Sequence, residues 1–118
     1  LYLGHFFSDG TYIGRAGKMA NLLSYRMASY PSAYARWASV TAEIAHEITT
    51  LIITGPDALN QAREFMKKTA PGTLLAASTG ESRLPVFSSR FRDGETLFYQ
   101  CRGNVCLEPV NAPALVKL

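Results

Sequence analysis

From Tyr12 onward the apolar residues recur at Tyr12, Ala16, Met19, Ala20, Leu23 and Met27. Steps of three and four place them along one side of an α-helix. Pro31 stops that helix, because its ring clashes with the preceding turn, and it suits the first position of a new one. A second stripe follows at Tyr34, Trp37, Ala38, Thr41, Ile44 and Ala45. Residues 12–46 are therefore expected to form a helical hairpin with a short connection. Upstream, the apolar run Leu1–Phe7 lacks a start signal and reads as the last turn of a helix begun earlier. Ser8-Asp9-Gly10-Thr11 after it reads as a turn. Gly14 and Gly17 either weaken the first helix by about 1 kcal/mol each or let a neighbouring helix come close.

The pattern changes at Glu47. Ile48 to Thr54 is a β-branched run without clean alternation, as in a strand covered on both faces. Pro56 and Asp57 suit a helix start. Leu59, Ala62, Phe65 and Met66 give that helix an apolar face, Lys67-Lys68 favour its C-terminal end, and Pro71-Gly72 stops it. Thr73–Ser78 reads as a second strand. A β-α-β unit of this kind places its strands parallel with a right-handed crossover. Thr79–Arg92 is polar and irregular, with Pro85-Val86-Phe87 as a brief extended piece. Asp93-Gly94 is a turn. Thr96–Arg102 and Val105–Val110 read as a hairpin turning at Gly103-Asn104. Pro113 opens a short terminal helix, Ala114–Leu118. The expected architecture is α/β: a helical hairpin packed beside a small mixed sheet, with strands 48–54 and 73–78 at its centre and the hairpin 96–110 completing it. Residues 1–46 form the helical segment and residues 47–118 the α/β part.

Composition narrows the function classes. With 118 residues, 47% hydrophobic and 18% charged, the chain matches a folded domain rather than a disordered segment. Its longest apolar run is far below the roughly 20 residues of a membrane span, so no membrane partner is expected. The net charge of +3 is spread along the chain with acidic residues interspersed. A nucleic-acid surface draws its affinity from clustered Lys and Arg, so no nucleic-acid partner is expected either. The opening LYLGHFFSDG has neither a basic n-region nor a small-residue cleavage site, which points to a cytoplasmic protein. Without an initiator Met, the chain is read as a piece of a longer one.

The candidate chemistry is sparse. Glu43 and His46 stand at i, i+3 with Glu47 adjacent, which is half of a carboxylate metal site in helical bundles. No second pair accompanies them, and the expectation is a solvated helix end with no metal and no cofactor. Gly55 and Asp57 follow the first strand, where α/β sheets bind ligands. Thr79 and Gly80 follow the second strand on the same edge. These four residues form a candidate ligand edge, although Pro56 removes one N–H donor and Asp57 repels an anion. Cys101 and Cys106 flank a four-residue loop that suits a hairpin, which would set them opposite each other. Three readings stay open: unlinked thiols packed in the hairpin, a disulfide or redox-active pair, and half of a zinc site lacking two ligands. Reducing conditions in the cytoplasm favour free thiols at rest and a disulfide under oxidation.

Three stretches occur in one order: Tyr30-Pro31-x-Ala33, Glu47-Ile48-x-x-Leu51-Ile52-Ile53-x-Gly55, and Tyr99-x-Cys101-x4-Cys106-x-x-Pro109-Val110. That order resembles the C-terminal end of the YyaL-like thioredoxin-domain family, of the spermatogenesis-associated protein twenty type. The opening LYLGHFF followed by a turn and Tyr12 also fits, and the resemblance covers nearly the whole chain. It implies an N-terminal thioredoxin-like domain and an α/α toroid of the six-hairpin glycosidase kind, with residues 1–46 as the toroid's last helices. The partner implied is the rest of the same full-length chain. Two functions follow from different classes. One is a non-catalytic C-terminal capping module. The other is a share in thiol redox chemistry, or in carbohydrate isomerisation or hydrolysis, by the full-length protein. Alone, the segment is expected to be inactive on sugars and to self-associate through the helical face left uncovered.

Overall fold

A computed structural model describes residues 1–103 and 105–117. Asn104, in the expected hairpin turn, and Leu118, expected to end a terminal helix, lie outside the described residues. The chain divides into two compact units, Leu1–Glu47 and Ile48–Leu118.

The first unit holds three helices: α1 (Tyr2–Phe7), α2 (Gly10–Ser29) and α3 (Ala35–His46). Ser8 takes a left-handed conformation and closes α1 by donating its N–H back to the helix. Asp9 then caps α2: its Oδ1 accepts from the Thr11 N–H at 2.8 Å and from the Thr11 hydroxyl at 2.7 Å. This cap satisfies one of the amides that every helix start leaves without a partner. The expected turn is thus shorter than read, and α2 begins at Gly10. Gly4 lies against Ile13, where any side chain would collide. A Cβ added at Gly14 or Gly17 would meet nothing, so neither glycine serves a close approach within the unit. Pro31 does not start a helix as expected. Residues 31–34 form a turn, tied by Ala33 N–H to Tyr30 C=O and Tyr34 N–H to Pro31 C=O, and α3 begins at Ala35. The apolar stripes face one another only partly. Ala20 is buried, Leu23, Met27, Trp37 and Ile44 are half-buried, and α3 buries no residue fully.

The second unit is an α/β layer. Strands β1 (Thr49–Thr54), β2 (Thr73–Ser78), β3 (Leu97–Arg102) and β4 (Val105–Cys106) form one mixed sheet in the order β2-β1-β3-β4. β1 pairs with β2 in parallel and with β3 antiparallel. β1 is therefore interior, while β2, expected at the centre, is an edge. Helix α4 (Ala58–Met66) is the crossover between β1 and β2.

Registers assign the two faces of the sheet. Leu51, Ile53, Leu75, Ala77 and Phe98 share the face covered by α4, where Ala58, Ala62 and Phe65 complete the core. Phe65 and Phe98 meet with ring centroids 5.8 Å apart. Thr50, Ile52, Thr54, Ala76, Leu97, Tyr99 and Cys101 point to the opposite face. That face receives the 85–87 segment, a 3₁₀ turn with Val86 and Phe87 buried. Pro85-Val86-Phe87 is therefore helical, not extended as expected. Its proline occupies a first helical position, where a fixed φ is favourable. With both faces covered, Leu51 to Gly55 are all buried, which is why the strand shows no alternation.

The second arm of the hairpin is shorter than its sequence indicates. Cys101 faces Cys106, yet Phe98 faces Val110. One extra residue is accommodated between those pairings, and Pro109, which lacks an N–H, falls within that stretch. β4 consequently ends at Cys106, and Val110 is turned back onto the α4 face, where it packs against the core. Among the described residues of the C-terminal end, only Pro113–Leu115 is helical, as a single 3₁₀ turn.

Candidate functional site

β1 and β2 end side by side, so Gly55, Asp57, Thr79 and Gly80 do share one edge of the sheet. On the β1 side of that edge the backbone donors of Gly55, Asp57 and Ala58 are already engaged. The Gly55 N–H donates to the Ser78 carbonyl at 3.0 Å, and the Ala58 N–H to the Gly55 carbonyl at 3.1 Å. The Asp57 N–H donates to Thr96 Oγ1 at 3.1 Å. Gly55 has a φ of 117°, and the Glu95–Thr96 backbone crosses directly over it. Asp57 accepts from Gln61 Nε2 at 2.7 Å and from Asn60 Nδ2 at 2.8 Å. The Gln61 bond first, and then the Asn60 bond, hold its carboxyl below the usual carboxylate range. An anion reaching the β1 side of this edge would meet a carboxylate and amides that already have partners. Thr79 is exposed at the rim, and the Gly80 carbonyl accepts from the Ser78 hydroxyl at 2.7 Å.

Cys101 and Cys106 are brought together and bonded to each other, with Cα atoms 3.9 Å apart. Of the three readings open from the sequence, the structure holds the bonded pair. Register is what brings the two sulfurs within reach. The Leu107 N–H donates to the Gln100 carbonyl, which makes Cys101 and Cys106 a non-hydrogen-bonded pair, the kind in which opposed side chains come closest. The two residues differ in access: Cys101 is 5% exposed on an interior strand, whereas Cys106 lies exposed on the edge strand.

Arg90 stands beside this pair, and nothing in the polar run Thr79–Arg92 singled it out. Its Nη2 lies 3.4 Å from Cys106 Sγ, and its Nη1 donates to the Val86 carbonyl at 3.0 Å. The guanidinium carbon sits 5.8 Å from the Tyr99 ring centroid, within cation–π range. The Arg90 carbonyl accepts from Tyr99 Oη at 2.8 Å and from Thr54 Oγ1 at 2.9 Å. Two neighbouring strands thus hold the loop that presents the guanidinium.

The first unit carries a groove of about 300 Å³, lined among others by Tyr12, Arg15, Arg36, Trp37 and Glu43. Glu43 Oε2 is buried there without a hydrogen-bond partner. His46 is exposed and does not line the groove. Among the described residues, no three His, Cys, Asp or Glu side chains converge as metal ligands would. No described helix is long and apolar enough to cross a membrane. No family model, curated protein or solved structure matches the chain.

Proposed function

We propose that the chain is a non-catalytic structural module that caps a larger protein, docking through α1–α3 onto other helices of that same protein. The observation that carries this reading is the thin core of the first unit. Its three helices bury only Gly4 and Ala20 fully. Leu22 and Tyr25, one turn apart on α2, are 82% and 81% exposed. Exposed apolar surface of this kind marks a contact site, and a helical unit this small gains little stability without further burial. The resemblance to the YyaL-like family supplies the occupant: the α/α toroid of a cytoplasmic thioredoxin-domain protein, with no cofactor held by this segment. Glycoside hydrolysis commonly uses two carboxylates, and the groove on the first unit is lined by one, Glu43.

Hydrogen exchange on the chain tests the proposal. Amides of α1–α3 are expected to exchange quickly while those of β1 stay protected, and α1–α3 should gain protection when the full-length protein is measured. Equal protection of both units in the isolated chain, with no gain in the full-length protein, would overturn it.

A further inference from the structure

We infer that Cys101–Cys106 is an exchangeable disulfide, with Cys106 as the sulfur that meets dithiol reductants and Arg90 as the residue that positions its thiolate. This goes beyond the docking role and does not depend on it, since every group involved belongs to the second unit.

Access selects the sulfur. Exchange requires a thiolate to approach a disulfide sulfur directly. Cys101 is buried between β1 and β4, while Cys106 is exposed on the edge strand. Charge selects the same sulfur for the second step, in which Cys106 is the leaving thiolate. A cation beside a sulfur does little for a neutral disulfide, but it stabilises the thiolate left after reduction. Arg90 reaches Cys106 at 3.4 Å. Among the described residues, Arg90 forms no ion pair with a carboxylate within 4.0 Å. The guanidinium is also fixed in place before any thiolate forms. Val86 accepts from Nη1, the Tyr99 ring lies beside the cation, and Thr54 and Tyr99 hold the Arg90 carbonyl. A charge held ready in this way needs little rearrangement to stabilise what develops next to it.

The step balances as follows. One thiolate of a small-molecule or protein dithiol attacks Cys106 Sγ. The Cys101–Cys106 bond breaks, a mixed disulfide forms at Cys106, and Cys101 leaves as a thiolate that takes up a proton. The second thiol of the reductant loses its proton and attacks its own partner sulfur in the mixed disulfide. The reductant departs as a cyclic disulfide, oxidised by two electrons, and Cys106 remains as a thiolate beside Arg90. Of the reductant's two protons, one resides on Cys101 and one enters solution. In reverse, the Cys106 thiolate attacks an oxidised carrier.

Dithiothreitol is the probe. The folded chain is equilibrated with it, quenched with iodoacetamide at increasing times, and mapped by mass spectrometry. Reduction under native conditions is expected, with Cys106 alkylated several-fold faster than Cys101 at pH 7. Arg90→Ala should slow Cys106 alkylation several-fold, and Arg90→Lys should largely restore it, with circular dichroism confirming that both variants fold. Cys101→Ser, given the symmetrical disulfide of 5-thio-2-nitrobenzoate, should hold one half as a mixed disulfide at Cys106 and release the other as its thiolate. A pair that stays oxidised until the chain is denatured would overturn the inference. So would faster labelling of Cys101, or a Cys106 rate that Arg90→Ala leaves unchanged.

Discussion

Gly55 and Gly14 show how differently one residue type can be constrained. Gly55 combines a φ of 117° with a backbone crossing overhead. Gly55→Ala is expected to destabilise the second unit by roughly 2–4 kcal/mol, adding positive-φ strain to overpacking. The midpoint of a urea titration followed on that unit measures it. Gly14→Ala meets open space and should stabilise α2 by about 1 kcal/mol. Asp9 adds a pH dependence at the same scale. The Thr11 hydroxyl first, and then the Thr11 N–H, hold its carboxyl below the ordinary value of 3.8. A carboxylate depressed on folding contributes stability that is fully present above its unfolded value and is lost as pH falls through the folded one. Helix α2 should therefore weaken below about pH 4. Asp9→Asn keeps a capping oxygen and should flatten that acid response in far-ultraviolet circular dichroism.

At the scale of elements, the sheet depends on β1 and on Phe98 of β3. Phe98 is 2% exposed and packs on Phe65 under α4. Phe98→Ala should cost about 3–5 kcal/mol, enough to unfold the second unit, whereas Phe98→Leu should leave it folded with a lower denaturation midpoint. The disulfide closes a short loop, with a sequence separation of 5. Chain entropy then assigns it about 2 kcal/mol. Reduction is expected to lower the melting temperature of the second unit without unfolding it, as calorimetry with and without dithiothreitol would show. Loss of the sheet on reduction would mean that the bond, rather than the core, holds β3 and β4 together.

For the whole molecule, the two units differ in how complete they are. The second has a closed core around Leu51, Ile53 and Phe98. The first leaves Leu22 and Tyr25 open to solvent. The chain is expected to associate with rising concentration, and the double change Leu22→Glu with Tyr25→Glu should suppress that association. Light scattering of both proteins decides it, and an unchanged molar mass for the parent at millimolar concentration would refute the docking face. Much of this architecture is legible in the sequence, because period and punctuation are local. The helical stripes, the β-branched run at 48–54, the β-α-β unit and the opposition of Cys101 to Cys106 all follow from residues near one another in the chain. Other features depend on contacts between distant segments. Interior β1, edge β2, the extra residue near Pro109 and the 3₁₀ turn at Pro85 were settled by which surfaces found cover. The candidate ligand edge is readable as a location, but its engaged amides are not, since Thr96 and Glu95 reach it from some 40 residues away in the chain. Arg90 beside Cys106 belongs to the same class. No local signal marks it, and only the tertiary structure places a charge next to a sulfur, because hydroxyls on two strands hold the loop that carries it.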